Sequence, residues 1–212
     1  MAIPRRIFTI WLNEDPQRPP LVEKCIASQQ LLGYEHRVIG LDSPEWQQVQ
    51  EESRYMRECA PTKLWVKCSD YLRMWLVYKY GGSFFDADME FLPGKNLDDL
   101  LWNRAFISLE LNGYWANSSF GFEAGHPLLK KYLDRVEKNA RGDGDLIFEI
   151  GMRWWSDILW NEDMQGRHGV VACPAEMFYP YDHLKGVTNI TPLTKVYHHY
   201  MKSWEPTEWK TV

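Results

Sequence analysis

At 212 residues and 25.1 kDa, the chain has room for one sizeable core or for a domain with an appendage. Apolar residues make up 45% and charged ones 25%, which excludes fibrous, disordered and membrane-embedded classes and fits an ordinary soluble globular protein. A formal net charge of −5 argues against a nucleic-acid partner, because a phosphate backbone selects a basic surface.

"RIFTIW" at 6–11 is a short apolar run of β-formers and predicts the first strand. Pro19 and Pro20 then open a helix through "LVEKCIASQQLL", closed by Gly33. A second strand is expected over 34–41, and Ser43-Pro44 has the form of an N-cap with proline at N1, starting a polar helix to about Met56. Pro61 begins a helix in which Leu64, Cys68, Tyr71, Leu72, Trp75 and Leu76 share one face. Val66, Met74 and Val77 lie opposite, so this helix is expected to be buried, with Gly81 as its C′ residue.

"SFFDADMEF" at 83–91 reads as one strand, followed by strands over 104–111 and 117–123 and an amphipathic helix over 126–140. "RGDGD" is a loop, "LIFEIGMRWWSDILW" a helix despite Gly151, and "GVVACP" and "TKVYHHY" late strands. Strands alternating with helices predict an α/β fold with a mostly parallel central sheet and flanking helices. The four cysteines show no metal spacing and read as reduced thiols. No leader-like segment and no run of about 20 apolar residues occurs, which predicts a cytoplasmic protein.

Asp86 and Asp88 end the apolar run that follows the expected buried helix. Like charges this close oppose each other's ionisation, and a cation resolves the conflict. In extended chain the two would share a face about 7 Å apart, at the carboxyl end of a strand where ligands of open α/β sheets gather. Carboxylates there suit Mn²⁺ or Mg²⁺ shared with a substrate phosphate. Asp70 and Arg73 are i, i+3 neighbours on the preceding helix, a carboxylate and guanidinium fork able to grip sugar hydroxyls or phosphate oxygens.

The stretch "SDYLRMWLVYKYGGSFFDADMEFL" resembles the sugar-binding region with the DXD motif of glycosyltransferase family 32 and its relatives, in which Ser69, Asp70, Arg73, Gly81, Gly82, Asp86 and Asp88 match in order and spacing. "IPRRIFTIW", "NSSFGFEAGHPLL", "EMFYP" and "YHHYMKSW" resemble further family segments, so the likeness runs along nearly the whole chain. It implies a GT-A fold in a single domain, with residues 1–92 as donor and metal half and 93–212 as acceptor half and closing segment. It also implies a metal-dependent retaining transfer of a hexose from a UDP- or GDP-linked nucleotide sugar to a polysaccharide or lipid-linked glycan. The cation would be Mn²⁺ or Mg²⁺. Carried over by position, Asp88 would ligate the metal and Asp86 would contact ribose and a water on the ion, the two forming the catalytic pair. Asp70 and Arg73 would hold the donor sugar, Ile10 and Trp11 would lie near the base, His198 would complete the metal or diphosphate site, and Ser203 and Trp204 would meet the phosphates. Lipid-linked acceptors would bring peripheral contact with the inner face of a membrane.

Two departures stand out: Phe84 replaces a frequent tyrosine, and the family's Gly-Pro segment is not evident in "FEIGMRWWSDIL". Retention by double displacement would need a carboxylate nucleophile, for which Glu110, Glu123 and Asp145 are candidates; front-face attack needs none. The His198-His199 pair reads either as a strand end with one ring packed or, for His198, as a metal or phosphate contact. Trp11 reads as core or base platform, Trp154, Trp155 and Trp160 as core or acceptor platform, and Asn117 as an acceptor-side residue. The competing readings are a non-catalytic carbohydrate-binding module and a D-x-D phosphatase.

Overall fold

The computed structural model describes residues 2–15, 17–143, 149–182 and 185–201. In chain order the elements are β1 (Arg6–Ile10), α1 (Pro20–Gln30), β2 (Glu35–Ile39), α2 (Pro44–Glu52), α3 (Arg54–Cys59), α4 (Trp65–Tyr80), β3 (Gly82–Phe85), β4 (Met89–Phe91), β5 (Ala105–Leu109) and β6 (Trp115–Phe122). They continue with α5 (Pro127–Asn139), α6 (Trp154–Trp160), β7 (Val170–Cys173), β8 (Tyr181–Asp182), β9 (Val187–Thr188) and β10 (Val196–His198). The main sheet has the order β2-β1-β3-β6-β5-β7, and β6 alone runs against the other five strands. Among the described residues no helix is long and apolar enough to cross a membrane.

Side-chain alternation along the strands gives the sheet two apolar faces. Phe8, Ile10, Phe84, Phe120 and Ile107 point into a large core with α2 to α6, built around Leu72, Leu76, Tyr132 and Trp155. Ile7, Phe85 and Phe106 point the other way, against β4, Leu97, Leu101, Phe178 and Val196. The sheet is thus a middle layer whose strand ends, rather than its faces, are left to build a site.

Three of the expected helices change their bounds. The helix predicted from Ser43 to Met56 breaks at Ser53, which leaves helical geometry (φ −115°, ψ 126°) and caps α3 by accepting the Met56 N–H. The helix expected from Pro61 begins only at Trp65, because Lys63 adopts a left-handed conformation after a 3-10 turn at Ala60–Thr62. The helix expected over 146–160 is interrupted at Gly151 (φ −73°, ψ −127°), and α6 proper starts at Trp154.

A buried polar relay ties α1 to the sheet. The Thr9 hydroxyl donates to Gln29 Oε1, so its oxygen accepts from His36 Nε2 at 3.0 Å, while His36 Nδ1 has no partner among the described residues. Burial depresses the His36 pKa from 6.5 to about 4, since protonation would place an N–H where no acceptor waits. Between those values the unfolded chain binds the proton that the folded one refuses, so stability contributed above about pH 6.5 is lost as the pH falls towards 4. Urea unfolding at about pH 7 and about pH 5 is expected to show a larger loss for the native chain than for His36→Gln. Equal losses would contradict this assignment.

Candidate donor and metal site

Two glycines aim the chain into the site. Gly81 and Gly82 take φ of +64° and +122° as α4 gives way to β3. A Cβ on Gly82 would lie 2.9 Å from the Arg6 carbonyl oxygen, and one on Gly81 2.9 Å from the Ala124 amide nitrogen. Only glycine permits this entry beside β1.

The strand expected over 83–91 is two strands. β3 ends at Phe85, the chain turns through Asp86–Asp88, and β4 leaves to pair antiparallel with β10. Hydrogen bonds fix the turn: Asp86 N–H donates to the Ser118 carbonyl at 2.9 Å, Met89 N–H donates to the Asp86 carbonyl at 3.1 Å, and Gln29 Nε2 donates to the Asp86 and Met89 carbonyls. The turn overturns the extended spacing: ligand atoms of Asp86, Asp88 and His198 all lie within 4.8 Å of one another. Ligands at about 2.1 Å from one ion sit at most about 4.2 Å apart, so small side-chain rotations would close this set around a cation.

Asp88 is gripped from two sides. His198 Nε2 lies 3.3 Å from its Oδ1, and the Met201 N–H donates to its Oδ2 at 2.8 Å. Burial would raise its pKa, yet the His198 hydrogen bond and charge, with the Met201 amide, hold it below the usual value. Burial pushes the other way on His198, where the Asp88 hydrogen bond and charge outweigh it and raise the pKa. Nδ1 of His198 is buried without a partner among the described residues. Tyr200, between these contacts, has a φ of +50°, an uncommon conformation for a bulky side chain and one that clusters at functional sites. The His199 ring turns to Glu90 at 2.9 Å, outside the triad.

Arg73 joins this turn to α4. Its guanidinium meets Asp86 at 3.2 Å, Asp70 at 3.3 Å, the Ser69 hydroxyl at 3.0 Å and the Asn117 carbonyl at 2.9 Å, and stacks 4.7 Å from the Phe84 ring centre. Phenylalanine at 84 thus supports the cation from below. Burial lifts Asp86 to about 6, with Arg73 opposing. Burial also raises Asp70, opposed by Arg73 and by Asn117, whose Nδ2 donates to Asp70 Oδ1 at 2.9 Å. Asn117 therefore stands beside Asp70, a contact that its surrounding sequence did not signal.

Gly151 completes the wall. A Cβ there would lie 2.9 Å from Asp70 Oδ2 and 3.5 Å from Asn117 Nδ2. Gly151→Ala is expected to displace the Asp70 carboxylate and lower turnover about a hundredfold, since a shift of about 1 Å in a positioning group has that order of effect. Circular dichroism should be unchanged. Unaltered turnover would show that Asp70 has no such role.

The remaining candidates scatter. Ile10 packs its side chain in the large core. Trp11 is half-buried against the cluster of Val22, Ile26 and Ala87, the last being the residue between the two aspartates, and its indole N–H has no partner among the described residues. Glu110 follows β5 at the same sheet edge as Asp86, whereas Glu123 ends β6 at the opposite edge and bonds Arg104 at 2.6 Å. Asp145, Ser203 and Trp204 lie outside the described residues. Trp155 is core, Trp154 is half-buried under Arg135, and Trp160 is exposed. Ser118 and Tyr179 were not foreseen: the Tyr179 hydroxyl sits 2.7 Å from both Ser118 and Ser119 hydroxyls, and its ring lies 5.6 Å from His198. "EMFYP" held the only sequence signal for Tyr179.

The family profile described as capsular polysaccharide synthesis protein matches residues 2–138, which contain Asp70, Arg73, Asp86 and Asp88. The chain belongs to that family. The chain is 27% identical over 152 residues to inositol phosphoceramide mannosyltransferase 3 of Schizosaccharomyces pombe, an alignment covering 66% of the chain and 38% of that relative's length. Among solved structures, PaToxG glycosyltransferase superposes with a TM-score of 0.58 at 14% identity, over 77% of this chain and 71% of that one. A glycosyltransferase involved in glycosylation of the major capsid of PBCV-1 superposes at 0.52 and 8% identity, over 91% and 92%. These likenesses assign the fold, a GT-A-type α/β sandwich with a mostly parallel central sheet between helices.

Proposed function

We propose that this family member is a metal-dependent, retaining glycosyltransferase. It moves a hexose from a UDP- or GDP-linked donor to a polysaccharide or lipid-linked glycan. The observation that carries the proposal is the convergence of Asp86, Asp88 and His198 within 4.8 Å, joined through Arg73 to Asp70. Two carboxylates and an imidazole form a donor set that suits Mn²⁺ better than a soft metal. A bound Mn²⁺ or Mg²⁺ would act as a Lewis acid for the departing diphosphate. Asp88 and Asp86 would hold it, with His198 as third ligand. Asp70 and Arg73 would orient the donor sugar, Trp11 would flank the base, and residues 1–92 would carry most of this donor half. Residues 93–212 would face the acceptor, Ser203 and Trp204 would close on the phosphates, and Glu110 is a buried carboxylate of the acceptor half at this edge. Four free cysteines suit a reducing cytoplasmic setting, with the acceptor presented at the membrane's inner face.

The test is a calorimetric screen of UDP- and GDP-sugars with and without Mn²⁺, followed by NMR assignment of the anomer formed. One donor is expected to bind only with the metal, and the product should keep the donor's configuration. Hydrolysis of simple phosphomonoesters without donor binding would instead establish the phosphatase reading, and an inverted product would remove retention.

A further inference from the structure

We propose that Tyr114 and Trp160, with Leu111, form a saccharide-binding platform that receives the pyranose ring of the acceptor; the acceptor role rests on the transferase reading. Both rings are large and exposed, Trp160 at 55% and Tyr114 at 40%, and Leu111, in the same turn as Tyr114, is 42% exposed. The rings come from separate elements, the β5–β6 turn and the end of α6, yet pack 5.7 Å apart at 38°. An exposed aromatic cluster of this kind marks a binding surface more than a packing need.

The platform is anchored to the donor and metal site by an unbroken series of contacts. The Asp86 N–H donates to the Ser118 carbonyl, and the Ser118 hydroxyl donates to Glu110 Oε1 at 3.4 Å. Asn112 Nδ2 donates to Glu110 Oε2 at 3.2 Å, and the Tyr114 N–H donates to Asn112 Oδ1 at 3.0 Å. The Glu110 N–H closes the turn on the Tyr114 carbonyl at 2.8 Å. From the other side, the Trp115 N–H donates to Ser156 Oγ at 2.9 Å and Trp155 Nε1 to the Ala116 carbonyl at 3.2 Å, which locks α6 to β6. The segments that carry the two rings are therefore tied to the Asp86 turn, as a preorganised subsite requires.

The chemistry selects a neutral sugar. A pyranose offers a C–H face for aromatic rings and a hydroxyl edge for the exposed amide of Asn112, which buried Glu110 holds in place, the mix of apolar wall and few polar groups that small ligands need. An anionic lipid surface would call for basic residues. The segments 110–114 and 160–164 hold Glu110, Glu162 and Asp163 and no lysine or arginine, and the nearby Lys131 and Arg167 are paired with Glu162.

The test uses the full chain and saturation-transfer NMR with methyl α-D-mannopyranoside, methyl β-D-galactopyranoside and methyl β-D-glucopyranoside. At least one is expected to bind, and Trp160→Ala and Tyr114→Ala should each weaken it about tenfold, a loss in scale with one aromatic contact. Trp102→Ala, an equally exposed indole at 70% outside this turn, should leave saccharide binding unchanged. Three results would each overturn the platform. They are no glycoside signal from the native chain, binding insensitive to both platform variants, and platform variants that instead abolish binding to phosphatidylglycerol vesicles or dissociate a dimer. A parallel titration of the native chain with UDP and Mn²⁺ separates the two claims: saccharide binding without nucleotide binding keeps the subsite but overturns its acceptor role.

Discussion

Asp88→Asn is expected to abolish the rise in melting temperature that Mn²⁺ and a nucleotide sugar together produce in the native chain, and to weaken donor binding at least about a hundredfold. Asparagine keeps the shape and an oxygen able to accept the Met201 N–H, so the turn between β3 and β4 should survive. What goes is the charge that His198 faces at 3.3 Å, and with it one of the two carboxylates of the triad. A hard cation prefers charged oxygen, and Asp86 with His198 alone is a poor set. Without ligands the variant should lose only about 1–2 kcal/mol, the scale of one charged hydrogen bond exchanged for a neutral one. Thermal scans with and without Mn²⁺ and UDP separate the outcomes. A variant that still shifts with the metal would remove Asp88 from the ligand set, and a variant unfolded without ligands would make Asp88 a structural residue first.

The sequence carried the identity of this site better than its shape. Spacing put Asp70 and Arg73 on one face of the helix and Asp86 and Asp88 at the end of the strand that follows it, and the structure brings them together. The pattern was legible because a buried helix, a double glycine and a short apolar strand are local features with local causes. The turn at Asp86–Asp88 was not, because its cause is remote. Gln29 from α1 and Ser118 from β6 take the hydrogen bonds that a continuing strand would need, and no period in residues 83–91 encodes them. The same holds for Gly151, which read as a flaw in a helix and proves to be the close approach to Asp70. Antiparallel β6, inserted in an otherwise parallel sheet, likewise follows from long-range pairing that strand propensity does not report. Asn117 illustrates the limit: its residue type signals little until the fold sets it against Asp70.

Arg73→Met is expected to cost about 3–5 kcal/mol at neutral pH, the range for stripping one partner from a buried ion network, and to eliminate donor binding. The guanidinium spans Asp70, Asp86, the Ser69 hydroxyl and the Asn117 carbonyl at once, and its side chain is only 7% exposed. Methionine fills the space over Phe84 but leaves the Asp70 carboxylate buried, with Asn117 as its remaining neutral partner. Burial already raises the Asp70 pKa with Arg73 opposing it, so losing that charge raises it further. The folded variant then binds a proton that the unfolded chain, with an ordinary aspartate, does not. Acidification through that raised pKa therefore favours the folded state, and the deficit should narrow between about pH 7 and about pH 5. Arg73→Lys keeps the charge but not the fork; it should retain more stability than Arg73→Met, show little of the acid rescue, and still bind donor weakly. Urea unfolding of both variants at the two pH values checks the sign. A deficit for Arg73→Met that widens on acidification would mean that Asp70 finds another counter-charge, and the guanidinium would then lose its place as the centre of the network.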